Sequence, residues 1–211
     1  MPHPRVLLAL ATTLLALRTV SAQPATNQRI DEEYTRLIRQ HLTDPRITTE
    51  LVDYLPASDK VPTPLSFPGI GRVVGTPGYL TKARDIHRYL EAIAKAAPER
   101  ARFQVIGKTE EGRDMVAFIV SDEETMADPE RYQGYMRELA DPRRTSEARA
   151  RELINGVAKP VYYLTSGIHS TETGGPEMLM ELAYRLVVDE SPRIANIRKH
   201  VITIITPVVE V

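Results

Sequence analysis

The chain has 211 residues, 42% hydrophobic and 26% charged, with a formal net charge of −1. This is the balance of a soluble globular protein with room for one sizeable core, and without a basic surplus it does not point to nucleic acid or an anionic membrane as partner. Cysteine is absent, which excludes disulfides and thiolate ligands, so any zinc site must be built from His and carboxylate.

The N-terminus has the pattern of an export signal. Arg5 precedes an apolar run over residues 6–17, and Val20-Ser21-Ala22 forms a small-residue cleavage site before Gln23. The run is too short for a membrane span, which needs about 20 apolar residues. The expectation is a signal peptide over 1–22, cleaved after Ala22, and a mature chain without a transmembrane span, secreted or periplasmic. Residues 30–42 place Tyr34, Leu37, Ile38 and Leu42 on one side of an amphipathic helix. A second short helix is expected over 47–55. From 56 to 77 the chain carries Pro56, Pro62, Pro64, Pro68 and Pro77 with Gly69, Gly71 and Gly75, the composition of an extended wrap. Residues 23–75 read as an N-terminal appendage packed on the domain that follows.

Thr76-Pro77-Gly78 reads as a helix start. The expected helix covers 79–97, with Leu80, Ala83, Ile86, Leu90 and Ile93 on one stripe, and Pro98 ends it. Two strand-like runs follow at 102–106 and 115–120, joined by a Gly-containing turn over 107–114. Residues 122–157 are charge-rich, with helical stretches near 129–140 and 146–153, and read as an insertion. An apolar, buried strand is expected over 160–166. A loop of Gly, Ser and Thr follows, then a helix over 176–188 with Met178, Leu179, Leu182 and Leu186 on its buried side. After a polar helix at 192–199, residues 201–211 form a β-branched run suited to a strand buried on both faces. Strand, helix and strand in this order imply a parallel crossover.

The informative segment is Gly167-Ile168-His169-Ser170-Thr171-Glu172. It follows a strand and precedes a helix, where sites form in open α/β sheets. A His and a Glu three apart can present an imidazole nitrogen and a carboxylate to one zinc ion. The same residues also suit a hydrogen-bonded loop His and a Glu capping the next helix. Spacing alone leaves both readings open.

The segment resembles the G-x-H-x-x-E signature of the carboxypeptidase A-like zinc metallocarboxypeptidases. Upstream, Ile106-Gly107-Lys108-Thr109-Glu110-Glu111-Gly112-Arg113, followed by Val116-Ala117-Phe118-Ile119-Val120, resembles the family's I-G-x-S-x-E-G-R hairpin and next strand. Downstream, residues 201–211 resemble the strand leading to its N-P-D-G turn. The likeness runs from about Thr76 to Val211, with 122–157 as extra material.

The resemblance implies an α/β fold, a mixed and centrally parallel sheet with helices on both faces, incomplete at the C-terminus. It implies His169 and Glu172 as ligands of one Zn2+ ion, and structural roles for Glu111 and Arg113. It further implies hydrolysis at the C-terminus of a peptide or protein substrate by a zinc-activated water. Thr171 departs from the Arg found at this position in pancreatic-type members. The family's second His ligand, its carboxylate-binding Arg and Asn, and its general-base Glu lie farther downstream than Val211, so a fragment without catalytic residues of its own is expected. His200 would open the last strand at the end away from His169. His87 reads as a half-exposed helical histidine, and Glu210 as near the site without a role. A zinc amidase or deacylase acting on cell-wall peptides or acylated amino acids, and a non-catalytic truncated relative, are the alternatives. A later His and Glu in an extended reading frame would separate enzyme from relative.

Overall fold

The structure is a computed structural model that describes residues 27–210, so the expected signal peptide lies outside the described residues. Its first helix, α1 (Glu32–His41), begins where Asp31 accepts a hydrogen bond from the Tyr34 amide at 2.8 Å. Glu32 and Glu33 in the first turn and Arg39 and His41 in the last complement the helix dipole. Residues 47–55 do not form the expected helix. They run through turns with Ile47, Leu51 and Val52 exposed and only Leu55 reaching the core.

The next helix, α2 (Ala83–Ala96), starts later than the sequence pattern predicts. Gly78 sits at φ +80°, a left-handed conformation that no helix interior tolerates. Tyr79 and Leu80 stay exposed, and the helix begins after Lys82. Strands β1 (Ala101–Lys108) and β2 (Asp114–Val120) form the expected hairpin, antiparallel from Ala101↔Val120 to Lys108↔Asp114, with an irregularity between Val105 and Gly107. Gly112, at φ +80°, supplies the turn.

Three helices fill the charge-rich stretch. α3 (Glu123–Ala127) is capped by Asp122 and is too short to show a period in the sequence. α4 (Pro129–Ala140) and α5 (Glu147–Gly156) match the expected stretches, and Arg149 joins them through Glu138 at 3.0 Å. Then come β3 (Val161–Thr165), α6 (Gly174–Val188), α7 (Pro192–His200) and β4 (Ile202–Thr206).

The four strands form one mixed sheet in the order β1-β2-β4-β3. β2 and β4 are antiparallel, whereas β3 and β4 are parallel from Val161↔Ile202 to Thr165↔Thr206. The fold is therefore mixed α/β, with its parallel pair made by the crossover. Two burial expectations fail. β3 lies at the sheet edge, and Val161, Tyr162 and Tyr163 are 39%, 61% and 52% exposed, not buried. β4 buries Thr203 and Ile205 on one face, while on the other Ile202 and Ile204 are half-buried and only Thr206 is fully buried.

The core lies between the sheet and the α2–α6 pair. Ile86, Leu90 and Ile93 of α2 and Leu179, Met180 and Ala183 of α6 meet Phe118, Val120 and Ile205 of the sheet. On the opposite face, α4 flanks Ile119, Ile202 and Ile204, leaving an apolar groove of about 340 Å³. Residues 27–75 share the main core: Tyr34, Leu55, Val61, Ile70 and Val73 all belong to it. Fully burying side chains of this size contributes about 1.5–3 kcal/mol each.

Candidate metal centre

The loop after β3 is held by backbone rather than by side chains. Ser166 and Gly167 continue the pairing beyond the strand: the Ser166 amide donates to the Thr206 carbonyl, and Val209 and Glu210 amides donate to the Ser166 and Gly167 carbonyls at 2.9 and 3.2 Å. Gly167 has φ +62°, and a Cβ there would stand 3.2 Å from both Pro176 and Val208. Both the conformation and the space call for glycine. At the far end of the loop, a Cβ on Gly175 would fall 2.0 Å from Ser166 Oγ. The two glycines thus let the loop fold tightly between β3 and α6.

On this frame His169 and Glu172 face each other. His169 Nδ1 and Glu172 Oε1 are 2.7 Å apart, the His169 amide donates to Glu172 Oε2 at 3.3 Å, and the Glu172 amide donates to the His169 carbonyl at 3.0 Å. Their side chains are 71% and 47% exposed. The hydrogen bond from His169 holds the Glu172 carboxyl below the ordinary carboxylate range. Glu172 does not cap α6, which starts after Thr173 without a side-chain cap. Its carboxylate is turned back to the imidazole. Of the non-metal reading, the hydrogen-bonded loop His is therefore present and the capping Glu is absent.

The pair suits a zinc ion by donor type, one imidazole nitrogen and one carboxylate oxygen. Tetrahedral zinc with bonds of about 2.0–2.2 Å separates neighbouring ligand atoms by about 3.3 Å. A side-chain opening of under about 1 Å turns the observed contact into that spacing. Among the described residues no group of three His, Cys, Asp or Glu is placed to hold a metal ion, so the pair by itself would be an incomplete ligand set.

The other histidines stand elsewhere. His200 ends α7, and β4 begins just after it, paired to the start of β3. His169 follows the end of β3. A five-residue strand is about 17 Å long, so His200 lies at the opposite end of the sheet. His87 is on α2, with Nε2 buried and without a hydrogen-bond partner. Burial lowers its pKa, against a smaller opposing pull from Asp114. Glu210 runs beside the loop through its amide.

Glu111 and Arg113 pair with each other at the hairpin tip, exposed. Between that tip and the His169–Glu172 loop lies a cleft of about 810 Å³, with Thr109, Glu110 and Arg113 on one wall and Ser170, Val209 and Glu210 on the other. Sequence reasoning missed Glu177, just inside α6 and only 7% exposed. A Glu in a helix's first turn is an ordinary exposed residue by pattern, so nothing local marked it.

The model of the zinc carboxypeptidase family matches residues 86–211. No curated protein sequence matches the chain. Among solved structures, carboxypeptidase A from Helicoverpa armigera is similar at 19% identity over 61% of this chain and 24% of its own, with a TM-score of 0.43. Thrombin activatable fibrinolysis inhibitor is similar at 14% identity over 84% of this chain and 31% of its own, with a TM-score of 0.44. The chain thus spans under a third of the length of either. The family match runs through the hairpin, the His169–Glu172 loop, α6 and β4 and covers more than half of the residues, and by it this protein belongs to the zinc carboxypeptidase family.

Proposed function

We propose that the protein is an exported, zinc-dependent metallocarboxypeptidase that hydrolyses the C-terminal peptide bond of peptide or protein substrates, and that His169 and Glu172 supply two of its zinc ligands. The observation that carries this reading is the exposed pair itself. An imidazole nitrogen and a carboxylate oxygen stand 2.7 Å apart at the carboxyl end of a strand, on a loop whose backbone is already fixed. When bound, zinc lowers the pKa of its water toward about 7 and polarises a carbonyl. This chain's part is to hold the ion and to present the hairpin–loop cleft beside it. Among the described residues no third His, Cys, Asp or Glu stands with the pair to complete a metal site. Export rests on the Arg5, apolar-run and Val20-Ser21-Ala22 pattern, and a mature N-terminus at Gln23 in the exported fraction is the expected result of N-terminal sequencing.

Isothermal titration of the 211-residue chain with zinc tests the ligand assignment. Weak binding that disappears in both His169→Ala and Glu172→Gln is expected. Tight one-to-one binding, or binding indifferent to both substitutions, would place the metal elsewhere.

A further inference from the structure

A segment that precedes a hydrolase's site can cover it or brace it. Residues 28–81 bear on that choice through α6, the helix that begins directly after the metal loop. One side of α6 carries Glu177, Glu181 and Arg185, only 7%, 9% and 5% exposed. Buried charges are tolerated only when paired and hydrogen-bonded. Apart from the pair Glu181 makes with Arg185, at 3.0 Å, their partners among the described residues all come from the preceding segment. Glu177 accepts from the Gly75 amide at 2.7 Å and from Thr81 Oγ1 at 2.6 Å, and the Arg72 guanidinium stands 3.7 Å away. Glu181 accepts from the Tyr34 hydroxyl at 3.2 Å, which in turn accepts from the Val74 amide. Arg185 donates to the Tyr54 carbonyl and lies 5.6 Å over the Tyr54 ring.

The contacts run along the helix. Tyr184 donates to the Pro56 carbonyl at 2.8 Å. Beyond the C-terminal end, Gln28 clamps the chain from both sides, donating to the Val188 carbonyl and accepting from the Glu190 amide, each at 2.9 Å. None of this reaches over the metal loop, where the His169 side chain remains 71% exposed. Losing the segment would take away these partners and uncover the apolar body of Tyr184.

We infer that residues 28–81 are a permanent brace for α6, which holds the metal loop in place from behind, and not a removable cover over the site. Glu177 is the positioning residue nearest the loop: it ties the first turn of α6 to Gly75 and Thr81. The loop's role as a metal site rests on the function proposed above, but the brace does not.

Two measurements on the whole chain test this. First, a protease site placed in the exposed turn over 45–52, where backbone hydrogen bonds are only local, allows the chain to be nicked. The two pieces are expected to co-elute in gel filtration with unchanged amide exchange over 166–175; separate elution of the N-terminal piece overturns permanence. Second, Glu177→Gln swaps an acceptor for a donor opposite one of its partners. Amides over 166–175 are expected to exchange about tenfold faster while those of β1 and β2 are unchanged. Unchanged loop exchange in the folded variant overturns the positioning role. If Glu177→Gln does not fold, Thr81→Val, which removes one of the same hydrogen bonds, is read in the same way. Neither readout involves zinc, so failure of the brace and failure of the metal assignment are distinguishable.

Discussion

Residues 166–175 and the charged side of α6 adjoin in sequence and treat charge in opposite ways. In the loop, His169 and Glu172 are exposed and partner chiefly each other, while the backbone beneath them is fixed by three backbone hydrogen bonds to the 206–210 run and by two glycines. In α6, Glu177, Glu181 and Arg185 are buried and meet several partners each. Side chains proposed to take up a ligand are left accessible on a rigid backbone. A side chain whose task is to hold two segments together is desolvated and saturated with hydrogen bonds. Burial and partnering, more than residue type, separate the two roles.

Five substitutions can break or sharpen that contrast. The largest effect is expected from Arg185→Ala, which leaves Glu181 buried without its cation and should destabilise the fold by about 3–5 kcal/mol in urea denaturation; a loss close to zero would erase the distinction. Gly167→Ala comes next. It forces a Cβ into a left-handed conformation and into 3.2 Å contacts with Pro176 and Val208, so about 2 kcal/mol is expected by the same assay. His169→Ala and Glu172→Gln sharpen the contrast from the other side: zinc binding disappears while the urea midpoint stays where it was. The smallest effect concerns His87, whose folded pKa burial depresses below 6.5. The unfolded chain therefore takes up the proton first. Stability should fall as pH drops from above 6.5 through the folded pKa and then level off, and His87→Leu should flatten that slope in thermal melts at stepped pH.

Much of this was legible in the sequence. The hairpin showed as two alternating runs around Gly112, which does adopt the left-handed turn conformation. The loop itself showed as a Gly, Ser and Thr stretch between a strand and a helix, with His169 and Glu172 close enough to meet, as they do. What failed depended on neighbours distant in the chain. Leu80 fitted the α2 stripe by spacing, yet Gly78 delays the helix and leaves Leu80 71% exposed. Met178 was expected inside α6 but is 52% exposed, because Glu177, Glu181 and Arg185 take buried positions instead. Charges default to the solvent side in any local reading, and only the path of residues 28–81 reverses this. The apolar run of β3 correctly announced a strand, but nothing within it encodes how many strands stand beside it.

That edge has a practical consequence. Among the described residues no strand pairs with the outer side of β3, where Tyr162 and Tyr163 are more than half exposed. An apolar edge with open amide and carbonyl groups is a template for a second copy. Purified alone, the chain is expected to scatter more light as its concentration rises, and Tyr162→Lys should raise the concentration at which turbidity begins.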